Sequence, residues 1–249
     1  MKTTKIEWTE MTWNPSIGCT KTSEGCKFCY AESMSIRLQA MKTPGYEDAF
    51  EFKIMPERLE YPLAIKKPTL FFVNSMSDLF HEKMPFSFLD EVFSVISRTP
   101  QHTYQILTKR ESVLKNYFAR RVPPDNAWIG VTVESDLRKN RIEVLKSVNS
   151  KIRFLSIEPL LTDIGKLNLD GIHWVIVGGE SGHGARPMNP EWVINIQKQC
   201  EEQNVAFFFK QWGAWGADGR KRSKKINGRV FLGKEWNGFP EVKLIVSGN

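Results

Sequence analysis

Three of the chain's four cysteines, Cys19, Cys26 and Cys29, fall within eleven residues of the stretch WNPSIGCTKTSEGCKFCYAE, which runs from Trp13 to Glu32. Four thiolates close a structural zinc site, and two make a disulfide. Three leave a bound metal with one open position. Gly18 and Gly25 each precede a cysteine and let the loop wrap closely around a bulky group. Three thiolates from one short loop suit three irons of a cubane [4Fe-4S] cluster, whose fourth iron then has no protein ligand. Zinc is the alternative. It needs a fourth ligand, for which His81, His183 and Cys200 are the candidates. Cys200 lies in a helical segment and reads as a buried thiol.

The elements that must hold this loop alternate in type along the chain. Short apolar, β-rich runs occupy 6–13, 69–76, 102–109, 127–134, 151–159, 172–180 and 205–213. Most lack polar/apolar alternation, which is the mark of parallel strands buried on both faces. Helix-period segments fill 31–42, 86–99, 110–121, 136–148 and 190–203, the last opening with Pro190 after Asn189. Residues 43–68 read as a loop with a short helix. Repeated βα units imply a parallel sheet, here an α/β fold of six or seven units forming a partial or full TIM-like barrel. The expected organisation is a βα barrel over residues 1–212, with its cysteine loop at 14–30, and a small C-terminal extension over 213–249. Within that extension INGRVFLGKEW predicts two short strands or a hairpin.

Barrels carry their chemistry at the carboxyl ends of the strands, and those ends are polar here. They read NSMSD (74–78), LTKR (107–110), TVES (132–135), SIEP (156–159), GGESG (178–182) and KQWG (210–213). Candidate site residues follow from this: Ser75, Asp78, Lys109, Thr132, Glu134, Glu158, Gly179, Glu180 and Ser181, with Lys210 and Gln211 closing the last strand. Thr132 and Glu134 have the oxygens to bind ribose hydroxyls. Arg186, in GHGARP, suits a carboxylate or phosphate.

The net charge of +7 is uneven. Residues 213–249 hold eight Lys or Arg against three Asp or Glu, a local +5, so only +2 falls on the first 212 residues. The cluster from Arg220 to Arg229 fits nucleic-acid phosphates, its alternative being a solvated basic loop. Trp212, Trp215 and Trp236 lie nearby and have faces for base stacking or for packing. No run of eighteen apolar residues and no signal-peptide pattern occurs, so no membrane partner is expected and the expected location is cytoplasmic. Reduced thiols there favour metal or redox chemistry over disulfides.

The cysteine loop, with its C-x-aromatic-C ending CKFC after the first strand, resembles the cluster motif of the radical S-adenosylmethionine (SAM) superfamily. The first gap is six residues where that superfamily usually has three. The longer pattern of WNP, GC, CYAE, FVNSMSDLFH, LTKR, GGESG with ARP, and FFKQWG resembles a phage-associated radical-SAM-like family across residues 5–240. The resemblance implies a [4Fe-4S] cluster on Cys19, Cys26 and Cys29. SAM would chelate the open iron and be cleaved to a 5′-deoxyadenosyl radical that abstracts hydrogen from a substrate. It also implies an electron donor such as flavodoxin or ferredoxin, and a phage- or prophage-encoded protein acting in the host cytosol. Ser75, Asp78 and Lys109 are similar to SAM-facing positions of the spore photoproduct lyases, a DNA-repair branch, with Lys109 toward the methionyl carboxylate. Lys109, Glu158 and Arg186 are the expected catalytic residues. Thr132, Glu134, Gly179, Glu180 and Ser181 join Ser75, Asp78 and Lys109 as the expected cofactor-binding set. A nucleic acid or nucleotide is the expected substrate class. Two readings stay open beside it: the same chemistry on a peptide, protein or small metabolite, and a non-enzymatic metal- or nucleic-acid-binding protein.

Overall fold

A computed structural model of the chain describes Thr4 and residues 6–241. Its elements, in order, are β1 (Met11–Trp13), β2 (Ser16–Ile17), α1 (Tyr30–Ala40), β3 (Lys53–Ile54), β4 (Leu70–Val73), α2 (Phe86–Arg98), β5 (Thr103–Thr108) and α3 (Glu111–Phe118). Then follow β6 (Ala127–Thr132), α4 (Asn140–Lys146), β7 (Arg153–Ile157), β8 (Trp174–Gly178), α5 (Pro190–Glu202), β9 (Ala206–Gln211) and α6 (Lys224–Asn227). Seven strands, β1 and β4 to β9, pair in chain order into one parallel sheet. The sheet curls into a half-barrel, the partial form of the barrel expected from the sequence. Each of the seven strand windows contains one of these strands.

The local causes are visible. Strand β6 is buried at all six residues, as a parallel strand covered by helices on one face and by the barrel interior on the other must be. Helix α2 turns Phe88, Leu89, Val92, Phe93 and Ile96 to the sheet, a stripe repeating at three to four residues. Helix α5 starts where the Asn189 side chain accepts the Glu191 amide at 3.0 Å, with Pro190 in the first turn where its missing N–H costs nothing.

Three expectations need correction. The first strand has three residues, because 6–10 form a turn that carries Trp8 into the interior. Residues 43–68 hold two single 3-10 turns, Pro56–Arg58 and Tyr61–Ala64, in place of one helix. Each has a proline in its first positions, and a proline inside a longer helix would remove a hydrogen bond. INGRVFLGKEW makes no pair of strands. Its one bridge, Phe231 to Lys234, closes a tight turn through Leu232 and Gly233 at φ of 49° and 76°. Its backbone pairs with β9 instead: Phe209 donates to Trp236 O at 3.0 Å and Gly238 to Phe207 O at 3.0 Å. This covers the sheet's last edge, where unpaired groups would otherwise remain. Residues 242–249 of the extension lie outside the described residues.

Alternate residues of the strands divide between two apolar clusters. The larger lies between sheet and helices and takes Ile129, Val131, Leu155, Ile157, Val175, Val177, Phe207 and Phe209. The smaller fills the concave side with Trp8, Phe72, Trp128, Ile152, Phe154, Trp174, Ile176 and Phe208. Trp174 is its hub. Its ring centroid lies 6.0 Å from Trp8, 6.2 Å from Trp128, 5.7 Å from Phe154, 6.0 Å from Phe208 and 4.4 Å from Phe239 of the extension. Its indole N–H donates to Gly238 O at 2.7 Å, so a buried polar atom has its partner. Gly130, opposite Phe154, makes room for it, since a Cβ there would lie 2.5 Å from the Phe154 ring.

Candidate active site

Toward the carboxyl ends of the strands the concave face changes from rings to small and polar side chains. Thr132 follows Trp128 and Gly130 on β6, Ser156 follows Phe154 on β7 with Glu158 just past its end, and Lys210 follows Phe208 on β9. This is the alternation of a strand read along one face. A cavity of about 420 Å³ lies there, and Cys19, Cys26 and Cys29 all line it. The three are unpaired, half-buried thiols. The loop that brings them is fixed at its root, where Gly18 N donates to Met76 O at 3.1 Å and Cys19 N to Phe50 O at 3.0 Å. Gly18 sits at φ 70°, with its Cβ position 2.0 Å from Glu51 O, so only glycine fits.

Ser75, Asp78, Lys109, Thr132, Glu158, Gly179, Glu180 and Ser181 also line the cavity, as do Lys210 and Gln211. Glu134 and Arg186 stand outside that wall. Glu134 is fully buried and pairs with Arg141 Nη1 at 2.8 Å, while Arg186 pairs with Glu180 at 2.7 Å. The Asp78 carboxylate accepts four hydrogen bonds, from Phe80 N at 3.0 Å, Thr108 Oγ1 at 2.7 Å, Lys109 N at 3.0 Å and Arg110 Nη1 at 3.1 Å. It therefore organises the β4 and β5 ends. On the opposite wall Glu158 accepts from Lys210 Nζ at 2.8 Å and Gln211 Nε2 at 3.0 Å, and Gln211 also donates to Ser181 Oγ at 3.1 Å. Gly179 lets the chain pass within reach of Trp212, whose carbonyl oxygen would lie 2.0 Å from an added Cβ.

Lys109 differs from the other cations of the wall. Its ammonium donates to Thr132 Oγ1 at 3.3 Å and forms no salt bridge among the described residues, whereas Arg110 and Lys210 are paired. Its charge reaches the cysteines. Burial raises the Cys26 thiol, but Lys109 and hydrogen bonds from the Thr22 and Ser23 backbone and the Ser23 hydroxyl outweigh it and hold the pKa below the ordinary value. Cys19, more deeply buried and near Asp78, is pushed up to about 11.

The donor set can be tested against a metal. Among the described residues no three His, Cys, Asp or Glu side chains converge on one ion position. A single zinc holds each sulfur at about 2.3 Å and needs such convergence. A cubane cluster spreads its thiolates around a wider object, and the three free thiols line one cavity. The proposed zinc ligands are also occupied or remote. His81 Nδ1 accepts from Lys83 N at 3.2 Å, which leaves Nε2 as the donor to Thr20 Oγ1 at 3.1 Å. Its ring stacks on Phe52 with centroids 4.0 Å apart, and burial followed by Arg110 lowers its pKa. His183 is on an exposed loop away from the cavity wall. Cys200 is buried in α5, its thiol pushed up to about 12 by burial alone.

The family model described as a protein of unknown function, DUF5131, matches residues 3–240. The chain belongs to the DUF5131 family. No curated protein sequence matches it. Among solved structures it is similar to a cysteine-to-serine variant of spore photoproduct lyase, at 14% identity and a TM-score of 0.50, over 81% of this chain and 63% of that one. The lyase complexed with dinucleoside spore photoproduct aligns at 12% identity and a TM-score of 0.49, over the same 81% and 63%. A further variant with bound AdoMet and the same dinucleoside aligns at 12% and 0.47, again over 81% and 63%. At such identities the likeness is one of fold, and the chain spans 63% of the length of those lyase chains.

Several residues that build this DUF5131 site are not among the sequence candidates. Asn14 Oδ1 accepts from Ser75 Oγ at 3.2 Å and Met76 N at 3.1 Å, and Asn74, at φ 59°, donates to Ser16 Oγ at 2.8 Å. Together they tie the β1 exit to the β4 exit. Arg110, next to Lys109 in LTKR, is 4% exposed and reaches the cysteine loop. Asn74 in VNS was a readable signal, because Asn tolerates the left-handed region that it adopts. Arg110 gave no signal beyond its motif.

Proposed function

We propose that the chain is a radical SAM enzyme that acts on a nucleic acid or nucleotide. One observation carries this reading: three free thiols of one loop line a cavity at the carboxyl end of a parallel half-barrel, beside a lysine without an acidic partner among the described residues. Cys19, Cys26 and Cys29 would hold the cluster. When bound, the cluster supplies the electron that cleaves SAM. Lys109 is placed to pair with an anionic group entering the cavity, and the methionyl carboxylate of SAM is such a group. Thr132, whose hydroxyl already accepts from Lys109, keeps that ammonium directed inward. Gly179 lines the cavity, and the Glu158–Lys210–Gln211 wall offers hydrogen bonds to the substrate side.

The nucleic-acid class is supported by charge beside the mouth. Lys224 lines the cavity and pairs with Glu7 at 3.0 Å, which places the basic extension at the rim. Lys221 lies 5.6 Å over the Trp215 ring and donates to His183 O, so cation and aromatic face stand together there. No helix of the described residues is long and apolar enough to cross a membrane.

The test is anaerobic reconstitution with iron and sulfide, reduction, and assay of 5′-deoxyadenosine released from SAM. Wild type is expected to release it and Cys26→Ala to release none. Equal traces from both would overturn the reading. Falling substrate affinity with added salt would support a phosphate backbone as the ligand, and a flat dependence would exclude it.

A further inference from the structure

The unusual feature of the cysteine loop is the six residues between Cys19 and Cys26, and the structure gives them partners. Thr20 accepts two bonds from Arg110 Nη2, at 2.8 Å through its carbonyl and 2.9 Å through its hydroxyl. Arg110 is itself gripped by Asp78 at 3.1 Å and Glu82 at 2.8 Å. Ser23 donates to the buried Glu134 carboxylate, which Arg141 holds from the other side at 2.8 Å. Gly25 lies against the same carboxylate, and an added Cβ there would meet Glu134 Cγ at 2.9 Å. Glu24 pairs with Arg138 at 2.7 Å and accepts from Ser135, while its carbonyl accepts from Arg186 Nη2 at 3.0 Å. Arg138 and Ser135 outweigh the burial of Glu24 and hold its carboxyl down to about 2.

The anchors come from three different strand exits: Arg110 follows β5, the Glu134 to Arg141 group follows β6, and Arg186 follows β8. The loop therefore crosses the mouth of the half-barrel from the β4 side and is fastened where it lands. We infer that the six-residue gap is a brace that holds Cys19 and Cys26 in place before any cluster arrives, with Arg110 and Glu134 as its positioning residues. This rests on the reading of the cysteines as cluster ligands, but the brace itself belongs to the protein alone. Groups that orient metal ligands from behind are worth as much to a site as a ligand's own placement. The Arg110 guanidinium holds Thr20 through Nη2 while Nη1 and Nε hold Asp78 and Glu82, a planar three-sided arrangement that a single ammonium cannot reproduce.

The test uses the full chain without metal and follows amide hydrogen exchange of the peptide covering 19–27. Wild type is expected to show slow exchange there, and Arg110→Gln and Glu134→Gln to exchange at least about tenfold faster. Arg110→Lys should recover only part of the protection. Arg121→Gln, in a distant surface pair with Asp90, should match wild type. After reconstitution the same two variants should release iron to a chelator about 10–100-fold faster than wild type, with an altered electron paramagnetic resonance signal. Should the buried variants lose their thermal transition, Glu24→Ala decides, because its pair with Arg138 is at the surface and its loss leaves the core intact. Wild-type exchange as fast as an unstructured peptide would overturn the brace, and so would unchanged exchange in all three variants. Protection without iron uptake would leave the brace standing and remove the proposed function instead.

Discussion

The two ends of the half-barrel's concave face are built on opposite principles. At the amino end five rings surround Trp174, and the extension adds Phe239 as one of them. At the carboxyl end the strand exits present carboxylates and ammonium groups, and the cysteine loop its thiols, around a cavity. The floor is held by interlocked rings, with the buried Gln105 between Phe72 and Trp128 donating its amide to Trp8 O at 3.1 Å. The rim is ordered because nearly every charge already has an oppositely charged partner, and among the described residues Lys109 stands out by having only the Thr132 hydroxyl. Stability and chemistry thus occupy opposite ends of the same strands, so substitutions at the two ends should affect different measurements.

The largest effect is expected at the floor. Trp174→Ala removes the hub ring and should cost about 3–5 kcal/mol in denaturant unfolding. If stability falls by less than 1 kcal/mol, as a surface change would, the floor is not the support described here. At the rim Lys109→Met should weaken SAM binding by about 1.5–3 kcal/mol, the worth of a hydrogen bond to a charged group. Its unfolding free energy should stay within about 0.5 kcal/mol of wild type. Calorimetric titration and chemical denaturation on the same sample would check both halves of that contrast. Gly130→Ala tests the border between the two ends. Its added methyl meets the Phe154 ring and should cost about 1–3 kcal/mol without altering the thiols' reactivity, which alkylation of the apo protein would follow.

The smallest effect lies outside both ends. Asp90 is held below its ordinary pKa first by the hydrogen bond from Arg121 and then by that from Tyr117. A carboxyl depressed in the folded state contributes stability above its unfolded pKa of 3.8 and loses it as pH falls through the folded value. Asp90→Asn should therefore lower the melting temperature slightly at neutral pH, and the difference should vanish as pH falls through the folded value, which flattens the acid limb of the profile. Both side chains are largely solvent-exposed, so the pair is worth little. A loss in Asp90→Asn as large at acid pH as at neutral pH would contradict this.

Much of the scaffold was legible in the sequence. The unbroken apolar runs gave the seven parallel strands, since burial on both faces erases alternation. The helix between Asn189 and Gln203 could be read from its capping residue and its proline. INGRVFLGKEW misled for a physical reason: its self-pairing stops at the single Phe231–Lys234 bridge, and Trp236 and the residues after it pair with β9 instead. The candidate site divides in the same way. Lys109, Thr132 and Glu158 were readable from position alone, because strand ends point to the mouth. Glu134 and Arg186 had the same sequence signal, yet the structure turns them toward the cysteine loop.

The amino-acid sequence by itself determined the order of β and α segments, the three thiols on one loop and the polar residues at each strand exit. These follow from local periodicity, which a few neighbouring residues encode. Only the tertiary structure decided how the loop is held. Thr20 meets Arg110 across 90 residues, Ser23 meets Glu134 across 111, Glu24 meets Arg138 across 114, and Arg186 reaches Glu24 across 162. Charges so far apart have no periodicity to connect them. They become partners because a curled parallel sheet brings every strand's carboxyl end to one rim.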